Sequence, residues 1–229
     1  MRGDGCATTI ETGPLGDLSS IVSAWVRGWT ISRATPPPVP APHGWQVDVG
    51  LPGHRRRFVL HAPDERTLTR LGRHQNAPGT WIKVAGDPAE LRAALPPEWQ
   101  LDDTGYLMTT TFRAAAEPPP PPPYAVRVQT SGGVVTAEVL DPEGRIAASG
   151  KLATTGAYAI VDQVETATAH RRRGLGTVVM RTLAWHALRR GAGTGILVAT
   201  DDGRGLYGSL GWTVRSPIAV ACVPEPAAA

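Results

Sequence analysis

The sequence HRRRGLG at residues 170–176 lies between a β-like run at 158–166 and a helix-like run at 177–190. Three arginines at the start of a helix oppose its dipole, and each destabilises the helix by about 0.3–1 kcal/mol. Two glycines there weaken the first helical turn by about 1 kcal/mol each relative to alanine. Both features favour a bound anion, because free N–H groups, glycines that let a ligand approach and nearby arginines together form a phosphate cradle.

The residues after this cradle complete a strand–helix–strand unit. Leu175, Val179 and Leu183 share one face of the predicted helix, which ends at Gly191. The short apolar run at 195–200 follows, as expected for a strand that is buried on both faces. This order of elements predicts a βαβ unit with an anion site at the start of its helix.

The composition is that of an ordinary globular protein. The chain has 229 residues, a formal net charge of +3 and 41% hydrophobic residues, enough for one large domain or two small ones. We find neither a signal peptide nor a run of about 20 apolar residues, so we expect a soluble, cytoplasmic protein without membrane contact. Cys6 and Cys222 have no Cys or His at metal-ligand spacing, so we expect no metal site. The oligomeric state stays open.

Six consecutive prolines at 118–123 mark the clearest boundary in the chain, and we interpret them as a semi-rigid linker. Before them we predict a flexible arm at 1–16 and an α/β domain at 17–117. The first helix of that domain is predicted to begin after Asp17 or Ser19 and to end at Gly28. After the prolines, a four-strand meander and the βαβ unit predict a second domain at 124–223, with a tail at 224–229.

The cradle spacing excludes two common phosphate motifs. Val179 stands where a dinucleotide fingerprint needs its third glycine, and the Gly-Lys-Ser/Thr of a nucleotide P-loop is absent. A second motif, GLYGSLGW at 205–212, follows the predicted buried strand. In this order the two motifs resemble those of the GNAT acetyltransferase superfamily. The resemblance implies an α/β (α+β) fold over 124–223, a mixed and mostly antiparallel sheet with a βαβ acyl-CoA site.

The same resemblance implies an activity and roles for individual residues. The activity is transfer of an acyl group, usually acetyl, from acyl-coenzyme A to an amine by direct attack in a ternary complex. Backbone amides over 172–177 would hold the pyrophosphate, the strand before the cradle would pair with the pantetheine arm, and Tyr207 would protonate the departing thiolate. The implied acyl-CoA-binding residues are Val164, Thr166, Arg171, Arg172, Arg173, Gly174, Leu175, Gly176 and Thr177.

The sequence leaves open which group accepts the proton of the attacking amine. Strict alternation along the strand before the cradle puts Asp162 and Val164 on one face and Glu165 on the other. At most one of the two carboxylates would then face the acceptor. Glu138 is a third candidate, and each of the three is equally compatible with a solvated strand charge. We expect His170 to contact phosphate or solvent.

The predicted second domain lacks the two helices that usually enclose the amine-acceptor site of a GNAT domain. GNAT domains place two helices between their first and second strands, whereas only residues 130–133 separate those strands here. We expect the first 117 residues to supply the wall, as a degenerate GNAT-like half that has lost its own cradle.

The sequence HRRR recurs at 54–57 without following glycines, and we interpret this copy as an exposed basic strand end. Arg55–Arg57 could instead bind a polyanion, and some enzymes of this fold take aminoacyl groups from tRNA. An aminoacyl-tRNA donor is therefore one alternative function, although the net charge of +3 argues weakly against nucleic acid. A non-catalytic module that senses coenzyme A is another. The amine acceptor, a small molecule or a peptide, is not specified.

Overall fold

The computed structural model describes residues 16–114, 116–117 and 119–226; most of the predicted arm and part of the predicted tail lie outside these ranges. The helices are α1 (Leu18–Arg33), α2 (Glu65–His74), α3 (Pro88–Ala94), α4 (Leu175–Arg189) and α5 (Asp201–Ser209). The strands are β1 (Val39–Ala41), β2 (Gly44–Leu51), β3 (His54–His61), β4 (Thr80–Ala85), β5 (Gln100–Thr111), β6 (Ala125–Ser131), β7 (Val134–Leu140), β8 (Ile146–Thr155), β9 (Tyr158–Thr166), β10 (Thr194–Ala199) and β11 (Thr213–Cys222). None of the helices in the described part of the chain is long and apolar enough to cross a membrane.

All these strands belong to one sheet, in the order β1-β2-β3-β4-β11-β5-β10-β9-β8-β7-β6. Only β3 with β4 and β9 with β10 run parallel, and every other neighbouring pair is antiparallel. The predicted α/β fold with a mixed, mostly antiparallel sheet is therefore confirmed. The strands β6 to β9 form the predicted four-strand meander.

The two halves of the chain repeat one order of elements and share their sheet. The series β3-α2-β4-α3-β5 in the first half corresponds to β9-α4-β10-α5-β11 in the second. The last strand of each series pairs with the other half, since β5 lies beside β10 and β11 lies between β4 and β5. The sheet is thus continuous across the prolines, and the division into domains at 118–123 stays a prediction.

The helix α1 continues past the residue where we predicted its end. Asp17 caps it as expected, by accepting from the Ser20 N–H at 2.9 Å, but the helix runs through Gly28 and stops where Ala34 has a φ of 51°. A Cβ on Gly28 would lie 2.5 Å from Ile160 Cγ1 on β9. Gly28 therefore allows close packing of α1 on the sheet and does not terminate the helix.

The sheet curls around α1. On one long side of the helix, Ser19 Oγ lies 3.2 Å from His61 Nε2 on β3, and Trp45 Nε1 on β2 donates to Ser23 Oγ at 3.0 Å. On another side, Gly28 packs against Ile160 of β9. Because β3 and β9 are far apart in the strand order, contact with both sides of one helix requires a curved sheet. Residues of β3 and β9 consequently face one enclosed space.

Candidate functional site

The cradle predicted at residues 170–176 lies at the N-terminus of α4, which begins at Leu175. Gly174 occupies the N-cap position with a φ of 76°, and no side chain among the described residues caps the helix. The N–H groups of the first helical turn have no partner within the helix, so they are available to an anion at this end. A side chain at Gly174 would be strained at this φ, which explains the glycine.

These N–H groups face a cavity of about 1020 Å³, called here the cradle cavity. Its lining includes nine residues singled out from the sequence: Val164, Glu165, Thr166, Arg171, Arg172, Gly174, Leu175, Gly176 and Thr177. Arg173 does not line it. Its guanidinium instead donates to Tyr124 Oη at 2.8 Å and to the Ala169 carbonyl at 3.2 Å, which turns the side chain away from the cavity.

The two sequence motifs meet beside the cradle cavity. A Cβ on Gly176, in the first motif, would lie 3.0 Å from Leu206 Cδ2, in the second. The next residue, Tyr207, is 9% exposed and packs against Trp212, with ring centroids 6.2 Å apart. Burial, and then the negative charge of Asp162, raise the pKa of Tyr207 to about 12. Tyr207 is not among the residues that line the cradle cavity.

A second cavity of about 910 Å³, called here the sheet cavity, lies on the α1 side of the sheet. Both halves of the chain line it: Trp25, Trp29 and Arg33 come from α1, Arg57 from β3, Lys83 from β4, Tyr106 from β5 and Asp162 from β9. Thr200 and Asp202 line both cavities. The strands β9 and β10 pair only from Tyr158 to Ile160, so beyond these residues they diverge and leave a gap between the cavities.

A bulge in β9 decides on which face of the sheet its side chains lie. Gln163 has a φ of 53°, and the register between β8 and β9 shifts at this point. Val164 consequently packs on the α4 side, where its Cγ2 lies 3.1 Å from a Cβ built on Gly150, whereas Asp162 lines the sheet cavity. Our prediction that Asp162 and Val164 share a face is wrong, because the extra residue interrupts the alternation. The alternation that resumes at Val164 places Glu165 on the face of Asp162, not opposite to it.

The candidate bases differ in their surroundings. Asp162 accepts from Arg33 Nε at 2.5 Å, from Arg33 Nη2 at 2.9 Å and from Ser32 Oγ at 3.1 Å. Glu165 is exposed and lines the cradle cavity. Glu138 accepts from Arg127 Nε at 2.7 Å and lines neither of the two cavities.

His170 is held beside the cradle cavity and is not part of its lining. Its Nδ1 lies 3.0 Å from Tyr124 Oη, and its Nε2 lies 3.7 Å from the Asp141 carboxylate. Over residues 16–114, 116–117 and 119–226, no three His, Cys, Asp or Glu side chains form a group that could hold a metal ion.

The HRRR sequence at 54–57 is divided between two environments. Arg55 pairs with Glu225 at 2.6 Å and Arg56 with Asp48 at 2.7 Å, as expected for an exposed strand end. Arg57 is instead buried and lines the sheet cavity. Sequence reasoning named Arg57 only within the run Arg55–Arg57, as the alternative of a polyanion site, and missed both its burial and Lys83. The available signal was alternation, since Arg57 shares a face with the buried Val59 and Lys83 interrupts a strand that is otherwise uncharged.

The helix of the first half that corresponds to α4 has no open N-terminus. Asp64 caps α2 by accepting from the Thr67 N–H at 2.7 Å, and Glu65 is the first residue of that helix. In α2, the Asp64 carboxylate therefore occupies the position that is left open at the N-terminus of α4. The predicted loss of a cradle in the first half agrees with this geometry.

Comparisons with known proteins agree with this architecture. The sequence model of the Acetyltransferase (GNAT) family matches residues 94–212, beginning before the predicted start at 124. A GCN5-related N-acetyltransferase from Kribbella flavida has a similar structure, with a TM-score of 0.65, 15% identity, and coverage of 93% of this chain and 97% of that one. A GNAT-family protein from Novosphingobium aromaticivorans gives a TM-score of 0.55, 17% identity, and coverage of 88% and 98%. No curated protein matches the sequence. Because the family model spans more than half of the chain, we conclude that the protein belongs to the GNAT acetyltransferase family.

Proposed function

We propose that the protein transfers an acyl group, usually acetyl, from acyl-coenzyme A to an amine by direct attack in a ternary complex. The supporting observation is the contact between the two cavities at Thr200 and Asp202, where β9 and β10 diverge. The cradle cavity has the N–H groups and arginines that suit a pyrophosphate. The sheet cavity offers a separate space for the amine, which explains why two cavities meet at one gap.

The exposed edge of β9 supplies the second part of the donor site. Beyond Ile160, β9 has no pairing with β10, so main-chain groups of Val164 and Thr166 are available on that side. An extended pantetheine arm can pair with them as an added strand does. An N–H at this edge would also polarise the thioester carbonyl, whose carbon forms a bond to the amine nitrogen as its bond to sulfur breaks and coenzyme A leaves as the thiol.

We assign to Tyr207 the role of proton donor to the departing thiolate sulfur of coenzyme A. Tyr207 directly follows Leu206, which lines the cradle cavity, and its hydroxyl is protonated at neutral pH, the state that a proton donor requires. The base that accepts the proton of the attacking amine is either Asp162 or Glu165. A covalent route through a thiol is not favoured, because burial raises the pKa of Cys222 and so disfavours the thiolate that would have to attack.

Coenzyme A release from acetyl-coenzyme A, measured across an amine library, tests this function. Coenzyme A affinity is measured separately by calorimetry in Gly174→Ala and Gly144→Ala. Both glycines have a positive φ, 76° and 78°, and no atom lies within 4 Å of a Cβ at either site. The backbone strain of about 1–2 kcal/mol is thus matched. We expect only Gly174→Ala to lose affinity, by 10-fold or more, and equal affinities would contradict the cradle assignment.

A further inference from the structure

The sheet cavity contains a buried cation, Arg57, that forms no ion pair with any described residue, although the charge of Asp162 acts on it from a distance. Arg57 is 9% exposed, and its Cζ lies 4.4 Å from the centroid of the Trp29 ring. Its Nε is buried without a hydrogen-bond partner among the described residues, and its Nη2 lies 3.5 Å from His54 Nδ1. No described carboxylate lies within ion-pair distance of it. Buried charges in proteins are normally paired, so this guanidinium lacks a partner that it would be expected to have.

Two further basic side chains line the cavity beside Arg57. Lys83 lies on the adjacent strand, and burial followed by the charge of Arg57 lowers its pKa to about 8. His54 stacks on Trp81 at 4.3 Å, and burial followed by Arg57 also lowers its pKa. The charge of Arg57 therefore destabilises the charged forms of both Lys83 and His54, and the charge of Arg33 destabilises that of Arg57. Their nearest basic neighbour, Arg33, is already bound to Asp162.

Four carboxylates also line the sheet cavity, those of Asp103, Asp162, Asp201 and Asp202. Asp201 and Asp202 follow the end of β10, where the sheet cavity meets the cradle cavity, and Asp103 of β5 joins them in the lining. The indole rings of Trp25 and Trp29 also line the cavity. Asp202 thus stands at the gap through which an acyl group would arrive, whereas Arg57 lies on β3, four places from β10 in the sheet.

We propose that Arg57, with Lys83 and His54, binds an anionic group, a carboxylate or a phosphate, carried by the amine acceptor. The amine of that acceptor then lies near Asp202, at the gap between β9 and β10. This inference rests on the proposed acyl transfer and narrows its acceptors to amines with a second, anionic end. A guanidinium and an ammonium that face one site suit the oxygens of either anion.

Matched pairs of amines test the proposal and separate the two anions. γ-Aminobutyrate against butylamine varies a carboxylate at the end opposite the amine, and phosphoethanolamine against ethanolamine varies a phosphate. We expect kcat/KM to be about 10- to 100-fold higher for the anionic member of at least one pair, the range for a hydrogen-bonded charge. Arg57→Gln should remove this preference, and Arg57→Lys should retain most of it. Arg56→Gln is the matched control, because Arg56 precedes Arg57 on β3 but pairs with Asp48 outside the cavity.

Equal kcat/KM within both pairs, or equal effects of Arg57→Gln and Arg56→Gln, would overturn the proposal. Lys83→Met provides a second variant of the cluster if Arg57→Gln does not fold. If no amine is acylated, the proposed function fails, and the anion site is tested alone. Inorganic phosphate is then titrated into protein saturated with coenzyme A, with tryptophan fluorescence as the readout, because Trp29 touches Arg57. Loss of the fluorescence response in Arg57→Gln, with the response kept in Arg56→Gln, supports the site. An unchanged response in Arg57→Gln overturns it.

Discussion

Arg33 donates two hydrogen bonds to the carboxylate of Asp162, from Nε at 2.5 Å and from Nη2 at 2.9 Å, and so ties the end of α1 to β9. Ser32 Oγ donates a third at 3.1 Å. A candidate catalytic carboxylate of the second half is thus held by two residues of the first half. The end of α1 thereby fixes one wall of the sheet cavity.

This ion pair should be measurable in a double-mutant cycle. For Arg33→Gln and Asp162→Asn we expect a coupling of about 1 kcal/mol in the free energy of unfolding in urea, because the geometry is bidentate but the arginine side chain is 39% exposed. Arg145 and Glu143, whose side chains are 72% and 62% exposed, provide the control pair. Their coupling should be near zero, and a similarly small value for Arg33 and Asp162 would contradict the prediction.

The same pair predicts how Asp162 acts in catalysis. Three donors already occupy its carboxylate, so we expect Asp162 to position groups in the sheet cavity and not to accept the proton. Asp162→Asn should raise the KM for the amine several-fold and leave the acidic limb of the pH profile of kcat/KM in place. If that limb disappears in Asp162→Asn and persists in Glu165→Gln, Asp162 is the base.

Gly28 should tolerate no side chain. A Cβ there would lie 2.5 to 2.7 Å from three atoms of the fully buried Ile160, so Gly28→Ala should lower the free energy of unfolding by about 1–3 kcal/mol. Gly208, in α5, has no atom within 4 Å of a Cβ. Gly208→Ala should therefore be neutral or stabilising by up to about 1 kcal/mol, through helix propensity alone. Thermal unfolding of both variants checks this difference in sign.

Tyr207→Phe should reduce turnover without weakening coenzyme A binding. The loss of a positioned proton donor is expected to lower kcat by about 10- to 100-fold or more, whereas the ring still packs against Trp212. Tyr158→Phe, at the first residue of β9, is the control and should keep full turnover. Calorimetry with coenzyme A separates binding from chemistry. Normal turnover in Tyr207→Phe would remove this hydroxyl from the mechanism.

The pKa of Lys83 predicts a pH dependence of stability. Burial first, and Arg57 second, lower this pKa to about 8, whereas an unfolded lysine titrates near about 10.4. Between these values the unfolded chain binds more protons, so the free energy of unfolding should rise with pH, by up to about 3 kcal/mol in total. The other charges that act on Lys83 are Arg33, Asp102 and Asp162.

Urea unfolding at pH 7 and pH 10 measures this contribution. Lys83→Met should lack the rise and should be more stable than the natural protein at the lower pH, with the difference closing at the higher one. Lys151→Met, which replaces the other lysine of the chain, should retain the rise. An equal slope in both variants would show that Lys83 is not the responsible group.

Local patterns predicted the second half well. The cradle spacing, the alternating meander and the apolar run of β10 each lie within a short stretch, so their structures follow from neighbouring residues. Features that depend on distant partners were missed. Glycine is typical of a helix end, but Gly28 lies within α1 and allows the helix to pack closely against Ile160. The bulge at Gln163 leaves no mark in the residue pattern, and Arg57 belongs to an arginine run that normally indicates solvent.

The position of β11 has a consequence for how the chain acquires its structure. This strand lies between β4 and β5, so both keep an open edge until β11 arrives. On the ribosome, β11 emerges after the other ten strands, and its pairing with β4 closes a loop of more than a hundred residues. Such distant pairing slows folding and leaves strand edges exposed to other nascent chains. We therefore expect the sheet to form late, only after synthesis has passed residue 222.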